Sequence, residues 1–127
     1  MKILTFCLIA IAGIFISASV TAAPKKGTVR HVVAFKFKDT ASPEQIKQVE
    51  DAFRALKTNI PQVVSLEWGT NISAEKFDKG FTHCFLVTFK NEKDRDAYLV
   101  HPEHEKFKTL AGPFVADVFV IDFLARN

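Results

Sequence analysis

The stretch VVSLEWGTNISAEKFDKGFTHCFLVTFK, Val63 to Lys90, decides the fold. Its first ten residues, VVSLEWGTNI, are rich in β-branched and aromatic side chains and read as a strand. Its last ten, FTHCFLVTFK, read the same way, and SAEKFDKG between them is a polar loop ending in a turn glycine, Gly80. Two strands in succession, with no helix between them, exclude a strict alternation of strand and helix.

Upstream, VRHVVAFKFK (Val29 to Lys38) is a further strand. SPEQIKQVEDAFRALK follows, with Ser42 as N-cap, Pro43 in the first helical position and Gln45 closing a capping box. Ile46, Val49, Phe53 and Leu56 recur at helical spacing, and Pro61 ends the helix by disfavouring it at Ile60. Downstream, Asn91 caps a short helix, EKDRDAYLV, which Pro102 restarts as PEHEKFKTLA. Gly112-Pro113 stops that piece, and FVADVFVIDFLA is a last strand. The order β-α-β-β-α-β is the α+β, ferredoxin-like pattern, a four-stranded antiparallel sheet with its helices on one face.

Strand alternation adds a second expectation. Val118 and Val120 point to one face of the last strand, while Phe119, Ile121 and Phe123 point to the other. Phe85 and Val87 likewise oppose Cys84 and Leu86 on the third strand. Two helical segments cover one face, so the other is expected to pack on a second copy, giving a homodimeric α/β barrel.

The chain opens MKILTFCLIAIAGIFISASVTAAPKK, a lysine followed by an apolar run and a small-residue exit. This is the layout of an export signal, residues 1–22, with cleavage after Ala22 and a short linker over 23–28. The run approaches membrane-spanning length, so an uncleaved anchor is the alternative. Cleavage leaves about 105 residues, one compact domain, exported to a periplasmic or extracellular space and free of the membrane. The 17 basic and 14 acidic residues give +3, or +2 without Lys2, with no basic stripe to hold nucleic acid. Cys84 is the one cysteine after the leader, so stability rests on a core and not on a disulfide, and 11 of the chain's 13 phenylalanines lie beyond the leader to supply it.

The polar residues on apolar strand faces are the candidates for function. His31 alternates with Val33, Phe35 and Phe37, and His83 with Phe81, Phe85 and Val87. Either histidine alone reads as a satisfied core residue. Asp122 interrupts the apolar face of the last strand, and a carboxylate there needs a partner such as histidine. These three, with Tyr98 and His104 of DAYLVHPEHEKF, are expected to face one cavity between sheet and helices. Such a set suits proton transfer: histidine titrates near neutrality, and a tyrosine hydroxyl donates to a carbonyl oxygen that gains charge. The break at His101-Pro102 folds Tyr98 and His104 towards each other, with His101 capping the restarted helix. The H-x-x-H spacing alone is a weak metal signal, and neither a metal nor another cofactor is expected.

RHVVAFKFKD, WGTNISAEKFDKGFTHCFLVTF and DAYLVHPEHEKF together resemble the stress-responsive dimeric α/β-barrel (Dabb) domain family, over Val29 to Phe123. The resemblance implies a ferredoxin-like fold that pairs through its sheets. The family's polyketide-cyclase branch, distantly similar through olivetolic acid cyclase, closes a linear polyketide by aldol condensation. It implies Tyr98 and His104 as a catalytic pair, with His104 as base and Tyr98 orienting it or polarising a carbonyl. His31 and His83 match its pocket histidines, and Phe53 and Phe85 its pocket walls. Glu50 and Phe53 stand where that cyclase has aromatic residues, and Phe85 where a smaller one is expected, so an identical substrate does not follow. An acid/base enzyme, a non-catalytic binder of a small hydrophobic or aromatic ligand, and a structural stress protein all remain open. A cofactor-free monooxygenase using Trp68 and the histidines is a lesser alternative.

Overall fold

The computed structural model describes residues 27–126, so the expected leader and its cleavage point lie outside the described residues. The elements follow the expected order: β1 (Val29–Phe37), α1 (Pro43–Asn59), β2 (Val63–Thr70), β3 (His83–Phe89), α2 (Glu92–Leu99), α3 (Pro102–Ala111) and β4 (Val115–Leu124). The strands lie in the order β2-β3-β1-β4, with every pairing antiparallel. This is the ferredoxin-like arrangement, with β1 and β3 central and β2 and β4 at the edges.

Local chemistry sets the ends of the helices. The Ser42 hydroxyl accepts from Gln45 N–H at 3.2 Å, and Gln45 Oε1 accepts from Ser42 N–H at 2.9 Å, completing the capping box. Asn91 Oδ1 accepts from Asp94 N–H, and His101 Nδ1 accepts from Glu103 N–H at 3.1 Å as the cap of α3. Such caps each contribute about 1 kcal/mol, which matters most for α2, only eight residues long. Gly27 N–H donates to Ala125, and Ala125 N–H to Thr28, so Gly27 and Thr28 belong to the folded unit.

The helices bury one sheet face. Val49, Phe53 and Leu56 of α1 pack with Phe107 and Ala111 of α3 on Val33, Phe35, Phe85, Val87 and Phe89. Phe53 stacks on Phe85 with ring centroids 3.9 Å apart, and Phe35 touches Phe53, Phe85 and Phe107. The opposite sheet face carries Val32, Ala34 and Leu86 beside Phe119, Ile121 and Phe123, each of the last three about half exposed. The alternation expected from the sequence is present, and the helices cover only one side.

Candidate functional site

Between the β1–β4 side of the sheet and the α2–α3 corner lies a cavity of about 270 Å³. β1 contributes His31, Val33 and Phe35, α1 contributes Phe53, and β4 contributes Val118 and Val120. The corner contributes Tyr98, Leu99, His104, Phe107 and Lys108. Pro102, with no amide hydrogen, restarts the helix at a new angle, while His101 N–H donates back to the Tyr98 carbonyl at 3.1 Å. The bend brings the Tyr98 and His104 rings to 4.5 Å between centroids. Two residues six apart in sequence, on different helices, thus become one pair.

The protonation of this pair follows from its surroundings. The His104 ring donates from Nδ1 to the Leu99 carbonyl at 3.1 Å, which leaves the lone pair of a neutral imidazole on Nε2. Burial holds His104 below the ordinary histidine range and the Lys108 charge adds to this, outweighing the opposing pull of the Leu99 carbonyl and Glu105. His104 is therefore neutral at neutral pH, as a general base requires. Tyr98 is buried, and desolvation pushes its phenol well above the ordinary tyrosine range, so it stays a donor. Its hydroxyl has no hydrogen-bond partner among the described residues, although the side chain lines the cavity.

His31 completes the inner end. Its ring meets Tyr98 edge-on at 5.8 Å, and its Nδ1 donates to Asp122 Oδ1 at 2.6 Å. The other Asp122 oxygen accepts from Arg95, whose Nε donates to Asp96 at 2.7 Å. In the neutral ring this leaves Nε2 of His31 as acceptor. Asp122 therefore stands behind His31 and does not line the cavity.

Besides Asp122, two more expected pocket residues, His83 and Phe85, lie outside the cavity. His83 is four residues from the level of His31 along the β1–β3 register, since His31 pairs with Val87 and Phe35 with His83. That is a separation of ~13 Å along the strands, so the two histidines do not share a cavity. His83 Nε2 lies 2.9 Å from Glu50 Oε1, its Nδ1 lies 2.8 Å from Thr82 Oγ1, and Trp68 stacks over it. Phe85 is fully buried behind Phe53 and supports the wall without lining it. Sequence reasoning did not single out Arg95 or Lys108. Lys108 stands one helical turn after His104, a spacing that places both on one face. Among the described residues no group of three histidine, cysteine or carboxylate side chains is placed to hold a metal ion.

Comparison with known proteins agrees with this architecture. A stress-response A/B barrel domain-containing protein, HS1 of Arabidopsis thaliana, is 35% identical over 98 residues, covering 77% of this chain and 90% of that protein. Olivetolic acid cyclase of Cannabis sativa is 26% identical over 99 residues, covering 78% and 98%. The solved structure of hydroxynitrile lyase from Passiflora edulis superposes with a TM-score of 0.75 at 25% identity, covering 80% of this chain and 96% of that one. The sequence model for the Stress responsive A/B Barrel Domain matches residues 29–125, three-quarters of the chain, and with it this protein belongs to the Dabb family.

Proposed function

We propose that this protein binds a small carbonyl or aromatic compound in the Tyr98–His104 cavity and performs acid/base chemistry on it. The observation that carries this reading is the pair itself. A neutral imidazole, its Nδ1 tied to a backbone carbonyl, packs on a protonated phenol whose hydroxyl has no hydrogen-bond partner among the described residues. His104 Nε2 would take a proton from a carbon next to a carbonyl, and Tyr98 would donate a hydrogen bond to the oxygen on which the negative charge collects. The imidazolium then returns the proton to the product. A cyclase and a lyase among the similar proteins support this choice of chemistry.

A non-catalytic binder is the second reading, favoured by one feature of the wall. Phe53 offers no hydroxyl opposite the pair, and Glu50 is engaged by His83. Thermal shift with a panel of β-keto acids and phenolics tests both readings. The melting temperature should rise in the wild type, and rise less in Tyr98→Phe or His104→Ala. No shift in any form would sink both, whereas binding without turnover would select the binder.

The assembly reading is a homodimer formed through the uncovered sheet face. Phe119, Ile121 and Phe123 form a contiguous apolar surface there, as expected of an interface core. A stable monomer in light scattering would contradict it. For the leader, export with cleavage after Ala22 is the proposal, and the intact mass of protein recovered from outside the producing cytoplasm checks it.

A further inference from the structure

We infer that the ligand of this cavity carries a carboxylate, held at the mouth by Lys108; this rests on the binding reading above and narrows its substrate class. Among the described residues that line the cavity, Lys108 carries the one fixed charge, and no aspartate or glutamate lines it. The lining is therefore electrostatically one-sided. The deep end is closed by His31, Phe53 and Tyr98, each at most 4% exposed, whereas the Lys108 side chain is half exposed. Lys108 thus marks the solvent end, one helical turn from His104 and near enough for its charge to bear on that imidazole.

A carboxylate entering an apolar cavity loses hydration and needs a cation in return. Lys108 is available for that exchange at small cost. Its Nζ lies 2.6 Å from Glu105 Oε1, but both side chains are about half exposed, and pairs of this kind contribute only ~0–1 kcal/mol. A ligand carboxylate would replace Glu105 as partner. The apolar body would then lie against Phe53, Phe107 and Val120, with its carbonyl or hydroxyl group at Tyr98 and His104. About 270 Å³ falls just below the usual range of ligand sites, roughly 300–1,000 Å³, and suits a single-ring acid.

The test compares 3-hydroxybenzoate with its neutral isostere 3-hydroxybenzamide by titration calorimetry on the purified protein. The acid should bind at least tenfold more tightly than the amide. Lys108→Met should bring that ratio to about one by weakening the acid alone, and Lys108→Arg should preserve it. Glu105→Gln, which removes the competing carboxylate, should strengthen the acid severalfold. Equal binding of acid and amide to the wild type, or an unchanged ratio in Lys108→Met, overturns the role of Lys108 and leaves the cavity reading standing. Failure of both compounds to bind overturns the cavity reading as well.

Discussion

Two histidine–carboxylate pairs occupy the helix-covered side of this sheet, and they differ in what their second nitrogen meets. At the His83 end, Glu50 and Thr82 lie within hydrogen-bond distance of the two ring nitrogens, and Trp68 and Phe37 pack on the ring. At the His31 end, Asp122 engages only Nδ1, and the ring borders a cavity shared with Tyr98 and His104. The residue types are the same, and the geometry separates them. A histidine whose nitrogens are both engaged locks structure, while one engaged on a single side leaves a group that can meet a ligand.

The stacked wall of Phe53 and Phe85 keeps these ends apart, so breaking it should have the largest effect. Phe85→Ala should cost roughly 3–5 kcal/mol in chemical denaturation, the range for deleting a large aromatic from a packed core. A loss below 1 kcal/mol would show that the wall is not tightly packed. Next comes the structural pair: Glu50→Ala leaves the buried His83 Nε2 without its partner and should cost about 1–3 kcal/mol. Binding in the Tyr98–His104 cavity should survive that change, as calorimetry would reveal, and its loss would merge the two regions into one site.

Smaller effects belong to the open end. Tyr98→Phe removes a hydroxyl with no hydrogen-bond partner among the described residues, so stability should change by under ~1 kcal/mol. Ligand affinity should nevertheless fall roughly two- to tenfold, the worth of one hydrogen bond. The smallest effect is a pH dependence. His104 is held below its ordinary value of 6.5 in the fold, so the unfolded chain binds more protons in the interval between the two values. Its contribution is complete above pH 6.5 and is lost as pH falls through the folded value. The melting temperature of His104→Gln should therefore decline less than that of the wild type below pH 6.5, and parallel curves would count against the assignment.

How far the sequence reaches depends on the range of each interaction. The Ser42, Asn91 and His101 caps are legible because each bonds a backbone amide two or three residues away. The meeting of Tyr98 and His104 is legible for a similar reason, since Pro102 dictates the bend between them. Alternation also places His31 and His83 on one sheet face. It says nothing about position along that face, which depends on the β1–β3 register, and so it grouped two histidines that stand at different levels. Phe85 shows the same limit in depth: its inward direction is readable, but whether it lines a cavity or backs Phe53 depends on packing between layers. Arg95 and Lys108 look like solvated helix charges until the sheet and the corner bring Asp122 and the cavity beside them.

The most direct test sets the two ends against each other in a single measurement. The 3-hydroxybenzoate-induced rise in melting temperature would be recorded for the wild type, His104→Gln and His83→Gln. The predicted result is that His104→Gln melts near the wild-type temperature but loses the rise, while His83→Gln melts lower and keeps it. A His83→Gln protein that loses the rise, beside a His104→Gln protein that retains it, would contradict the assignment of function to the Tyr98–His104 end.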